Sequence, residues 1–141
     1  MTVARILADK GRDVTTTTAA TSISDAVSLL AEHKIGALVV LDIAGKIAGI
    51  VSERDVVRAM AVGKDLTQPL SAIMTRDVIT CVESETINDV MTRMTLGRFR
   101  HLPVVDNGKL IGIVSIGDVV RARIEDVERE AEEMRAYIAT A

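Results

Sequence analysis

The chain has 141 residues, 48% of them hydrophobic, a formal net charge of -3 and only Phe99 and Tyr137 as aromatics. That is enough apolar material for one core, but it offers no aromatic stacking surface, and the scattered lysines and arginines form no basic stripe, which argues against nucleic acid as a partner. No apolar run approaches the roughly twenty residues needed to span a bilayer, the N-terminal MTVARILADKGRD lacks the apolar centre of a signal peptide, and one cysteine cannot form an internal disulfide, so the expectation is a cytoplasmic protein without membrane contact.

In chain order, Val14 to Thr18 reads as a short strand, and Ile23, Ala26, Val27 and Leu30 follow the i, i+3, i+4, i+7 spacing of an amphipathic helix. Ala37 to Leu41 is a second short strand, Ala44-Gly45 a turn and Ile47 to Val51 the return strand, after which Ser52 opens a helix running to about Gly63. Lys64 to Pro69 is polar and reads as a linker, with a short helical turn at Leu70 to Met74. The order then repeats: a strand at Val78 to Val82, a helix marked by Ile87, Val90, Met91 and Met94, and a hairpin turned at Asn107-Gly108. These boundaries give a first unit with its N-terminal lead-in (1–63), a linker (64–74), a second unit (75–124) and a C-terminal helical extension (125–141). Each unit is strand, helix, strand, strand, helix, an α/β (α+β) architecture of two pseudo-symmetric halves.

In the extension, Ile124, Val127, Ala131, Met134 and Ile138 recur every three or four residues, a narrow heptad seam between charged positions. Either this face packs on the chain's own domain, or it pairs with a second copy or grips a protein partner.

The repetition is visible in the residues themselves. Gly45 to Ala59, GKIAGIVSERDVVRA, returns as Gly108 to Ala122, GKLIGIVSIGDVVRA, with eleven of fifteen positions identical. Both copies hold a Ser-x-x-Asp after a Gly-Ile-Val strand. Ser52 and Ser115 stand where a strand gives way to a helix, so each reads as an N-cap with Asp55 or Asp118 at the third helical position. The same atoms allow more than capping. A carboxylate near a helix start can accept hydrogen bonds from the two adjacent hydroxyls of a ribose, leaving Ser and backbone N–H groups for a phosphate.

The doubled Gly-Ile-Val-Ser-x-x-Asp-Val-Val in this element order resembles a pair of cystathionine-β-synthase (CBS) domains, the Bateman module, over roughly residues 12–124. The Gly97 to Val104 run, GRFRHLPV, is similar to that of small stand-alone bacterial members. The resemblance implies a regulatory protein that binds adenosine-containing ligands (AMP, ATP, S-adenosylmethionine or NAD(H)) in clefts between the repeats and dimerises into a flat disc. It assigns Asp55 and Asp118, with Ser52 and Ser115, to the ribose. It places the adenine near Thr16, Ile35, Ile50, Ile79, Thr80, Cys81, Phe99, Pro103 and Ile113, each of which also reads as ordinary core.

The copies stop matching at the phosphate end. Gly36 and Ala37 of the first are replaced by Arg100 and His101 in the second, whereas Glu53-Arg54 is matched by Ile116-Gly117. Arg98, Arg100, His101 and Arg54 are the candidate phosphate contacts, because guanidinium groups match phosphate oxygens in geometry and keep their charge. In an extended strand Arg98 and Arg100 would share a side and His101 would point away, so the three are not expected to converge. The two clefts are therefore inequivalent, and one of them is expected to take a larger or weaker ligand. Cys81 reads as a buried, inert thiol, and two distant histidines with one cysteine make no metal site. No nucleophile with a base and no paired acid and base is visible, so the expectation is a non-catalytic sensor of adenine nucleotides, AMP first, acting as a homodimer. The alternatives are an interaction protein with degenerate clefts that works through its C-terminal helix and, less favoured, a small nucleotide-processing enzyme.

Overall fold

The computed structural model describes residues 1–140. Two apolar clusters organise it, one for each half of the sequence. In the first, strand β1 (Thr16–Thr17) runs parallel to β2 (Ala37–Leu41), which pairs antiparallel with β3 (Ile47–Ser52). Helix α2 (Ile23–His33) lays Ile23, Ala26 and Leu30 on this sheet, and α3 (Glu53–Ala61) adds Val56. In the second, the β4 (His101–Asp106) and β5 (Lys109–Ser115) hairpin packs against α4 (Ile87–Gly97) and the start of α5 (Ile116–Thr140). Asn107 and Gly108 both carry positive φ, as the expected tight turn requires.

The N-terminal lead-in is a helix, α1 (Val3–Lys10), which the sequence reading passed over. Although it precedes the first half, its Val3, Ile6 and Leu7 are buried in the second cluster. The segment before the second half does the reverse. A 3₁₀ turn at Leu70–Ala72 buries Leu70, and Met74 after it, in the first cluster. The docking is matched in detail: Thr2 bridges to Thr86, the N-cap of α4, and Pro69 bridges to Ser22, the N-cap of α2. Two glycines make room for these segments. A Cβ at Gly49 would lie 2.8 Å from Met74 Sδ and 2.9 Å from the Thr75 carbonyl oxygen, and one at Gly112 would lie 2.7 Å from Leu7 Cδ2.

Two expectations change. The strand expected at Val78 to Val82 shrinks to a single bridge between Cys81 and Val104, where the Cys81 N–H donates to the Pro103 carbonyl at 3.0 Å and the Cys81 carbonyl accepts from the Val105 N–H at 2.9 Å, while the Thr80 carbonyl accepts from Arg93 Nη2 at 2.7 Å. The seam on α5 is not packed on its own domain. The stripe that does pack is Val119, Ala122 and Asp126, whereas Val127, Met134 and Ile138 are 45%, 62% and 66% exposed. Asp126 is held by Arg129 Nη2 at 2.6 Å. Among the described residues no helix is long and apolar enough to cross a membrane.

Candidate functional site

The Ser52 motif is built by local geometry. Ser52 leaves β3 in an extended conformation, its Oγ accepts from the Asp55 N–H at 3.3 Å, and Asp55 Oδ2 accepts from the Ser52 N–H at 2.8 Å. This reciprocal cap fixes the carboxylate at the mouth of a helix with Oδ1 turned to no protein donor among the described residues. In front of it lies a cavity of about 640 Å³ between the two halves.

One wall comes from Ile50, at the end of β3, whose backbone exchanges two 3.0 Å hydrogen bonds with Thr75 and so carries Val78 and Ile79 alongside. The opposite wall is the turn from α4 to β4. Arg98 ends α4 with φ 56, and Gly97 has no Cβ because one would overlap the Phe99 ring at 2.2 Å. Arg54, Arg58, Arg98, Arg100 and His101 all border the cavity, and Arg54 Nη1 reaches the Arg98 carbonyl at 3.3 Å across the divide between halves. The cavity thus has a carboxylate at one side, apolar surface on its floor and a concentration of guanidinium groups, a combination that fits a ribose, a base and a phosphate respectively.

His101 lies between the two helix starts. Burial pushes its imidazole below the usual value of 6.5, and the opposing pull of Glu53 and Asp118 does not restore it, with Lys10 and Arg100 adding to the fall. Its ring takes the room that Gly36 leaves, since a Cβ at Gly36 would lie 2.9 Å from Nε2.

The second motif is locally similar and differently occupied. Ser115 donates its N–H to Asp118 Oδ2 at 2.9 Å and its Oγ accepts from the Asp118 N–H at 3.2 Å. The same Oδ2 also receives Lys10 Nζ at 2.7 Å. Burial alone would raise the Asp118 carboxyl, but Lys10 and the Ser115 hydrogen bonds outweigh it and hold it below the ordinary aspartate value.

Of the residues singled out in the sequence, Ser52, Asp55, Arg54, Arg98, Arg100, His101, Ile50, Ile79 and Phe99 border this one cavity. Arg98 is a left-handed helix cap and not part of β4, so the strand alternation expected to separate it from His101 does not apply to it, and Arg98, Arg100 and His101 border the same cavity. Ser115 and Asp118 are elsewhere. Thr16 is exposed on β1, Ile35 packs on the first cluster, Thr80 is held by Arg93, and Pro103 pairs with Ile113 in the second hairpin. Cys81 lies in the second core, where burial, aided by Glu85, pushes its thiol up to about 12. The cavity adds Thr75, Asp77, Val78, Glu53, Val57 and Arg58. Arg58 had a visible signal, one helical turn beyond Arg54 on the same face.

A family model for the CBS domain matches residues 5–62 and 70–125. An uncharacterized 17.7 kDa protein of Acidianus ambivalens is 41% identical over 105 residues, covering 74% of this chain and 63% of its own length. The mitochondrial CBS domain-containing protein CBSX3 of Arabidopsis thaliana is 37% identical, covering 83% and 60%. The chain thus spans about three fifths of the length of these two relatives. Among solved structures, the CBS-domain containing protein ATU1752 from Agrobacterium tumefaciens superposes with a TM-score of 0.84 at 48% identity, covering 86% of this chain and 92% of that one. The CBS domain pair of MJ0100 in complex with 5-methylthioadenosine and S-adenosyl-L-methionine gives 0.81 at 31%, covering 89% and 98%. PAE2072 from Pyrobaculum aerophilum, complexed with AMP, gives 0.77 at 27%, covering 84% and 89%.

Proposed function

The chain belongs to the CBS-domain family, and from that premise we propose that it is a non-catalytic regulatory module that binds an adenine nucleotide, AMP first, in the cavity between its two halves. The observation that carries this reading is the Asp55 carboxylate, fixed by its cap yet with an oxygen free, facing four guanidinium groups and the His101 imidazole across about 640 Å³. Asp55 takes the ribose hydroxyls, Ile50, Val78, Ile79 and Phe99 bracket the base, and Arg54, Arg58, Arg98, Arg100 and His101 share the phosphate. The solved relatives with AMP and with S-adenosyl-L-methionine support an adenosine ligand of this kind. The number of basic groups favours AMP, ATP or NAD(H) over S-adenosylmethionine, whose sulfonium is itself cationic.

The test is calorimetric titration with AMP, ATP, NADH and S-adenosylmethionine, joined to mass spectrometry of any small molecule that copurifies. Saturable binding is expected. Asp55→Asn should weaken it by about 10-fold or more, the worth of a hydrogen bond to a charged group. Absence of binding by all four ligands would refute the proposal, and conversion of the nucleotide on long incubation would reinstate an enzyme.

In the proposed assembly, α5 joins two copies as a homodimer. The exposed seam begins at Val120, a turn earlier than the sequence reading placed it, and runs through Ile124, Val127, Ala131 and Met134 to Ile138. Pairing two such helices in parallel sets Arg123 opposite the partner's Glu128 and Glu130 opposite the partner's Arg135, attractive flanking pairs on both sides. Nucleotide binding between the halves shifts the dimer to the extent that it prefers one arrangement of them.

A further inference from the structure

We propose that Asp118 is an internal latch and not a second ribose anchor: Lys10, at the end of α1, is its resident cation, so the chain carries one nucleotide site. This rests on the proposed nucleotide reading of the Asp55 cavity. The two motifs differ in what their carboxylates meet. Asp55 has no cationic partner within 4.0 Å among the described residues, whereas Asp118 has Lys10 Nζ at 2.7 Å on Oδ2 and Arg121 Nη1 at 3.9 Å from Oδ1. A ribose hydroxyl is a neutral donor and competes poorly with an ammonium already seated on the carboxylate.

The reason Lys10 sits there lies in the backbone. In the first half the Ile50 carbonyl accepts the Thr75 N–H, because the chain is extended after its 3₁₀ turn. In the second half the corresponding lead-in stays helical through Lys10, so no extended segment reaches Ile113, and Lys10 Nζ donates to the Ile113 carbonyl at 3.0 Å instead. One ammonium therefore satisfies both the orphaned carbonyl and the carboxylate. Asp118 also borders, with Met1, Ile6 and Lys10, a hollow of only about 70 Å³, whereas Asp55 faces the cavity of about 640 Å³. Asp118 is only 12% exposed, and the Lys10 ammonium offsets the cost of keeping its charge there.

The test uses the full-length chain with Lys10→Met, Asp118→Asn and the double variant. Thermal melts without ligand are expected to show each single change lowering Tm and the double change lowering it no further than the larger single one; additive losses would overturn the latch. In titrations with AMP, one nucleotide per chain is expected, with number and affinity retained within about 2-fold in Asp118→Asn and Lys10→Met. Loss of a bound nucleotide in Asp118→Asn, or weakened binding in Lys10→Met as from a phosphate-seeking lysine, would also overturn it. Should the unaltered chain bind no adenine nucleotide at all, the functional proposal fails and the melts alone decide the latch.

Discussion

His101 is the residue whose titration has a direct consequence for stability. Burial holds its folded-state value below 6.5, so well above that pH the ring is neutral in both folded and unfolded chains and adds no pH dependence. As pH falls through the unfolded value, the unfolded chain takes up the proton first, and the stability present above that value is progressively lost until the folded ring also titrates. Urea midpoints are therefore expected to fall between about pH 7.5 and about pH 5.5, and His101→Gln should flatten that slope; a slope unchanged in the variant would assign it to other groups. At this scale the sequence is legible where the geometry is local. Ser52 with Asp55 and Ser115 with Asp118 form the caps that their three-residue spacing predicts. What spacing cannot reveal is that one carboxylate is left open and the other is taken by Lys10, which lies 108 residues away in the chain. Arg98 departs from its expected place for a different reason: the helix end puts it in the left-handed region, where the alternation of a strand does not hold.

At the scale of elements, the helices and the two hairpins follow from hydrophobic period and turn chemistry, and α2, β2 and the Asn107-Gly108 turn occur where the pattern puts them. The lead-ins were not legible as such. Val3, Ile6 and Leu7 have helical spacing, but their burial depends on a sheet formed some hundred residues later. The two glycines beneath these segments predict unequal outcomes. Gly49→Ala meets the Thr75 backbone oxygen, which can move only by breaking its exchange with Ile50, and should cost about 3 kcal/mol in urea denaturation. Gly112→Ala meets only Leu7 side-chain atoms, and repacking should limit its cost to about 1 kcal/mol. Equal losses at both positions would contradict this account of how the segments are seated.

For the molecule as a whole, the uncovered seam on α5 predicts a dimer that the fold of the monomer does not need. Val127→Asp combined with Met134→Asp places charge on positions that are exposed in the single chain. Sedimentation should then report one chain of 15.1 kDa where the unaltered protein gives twice that, with circular dichroism unchanged; a mass unaffected by the pair would remove α5 as the joint. The crossed lead-ins carry a consequence for how the chain is made. As it emerges from the ribosome, the first half receives Leu70 and Met74 soon after its own hairpin and can close at once. Helix α1 comes out long before the elements it packs on, and its apolar face must wait for α4, β5 and the start of α5. Closing the second core therefore waits on contacts across some hundred residues of chain, Lys10 with Asp118 among them, whereas the first core closes on partners much nearer in sequence.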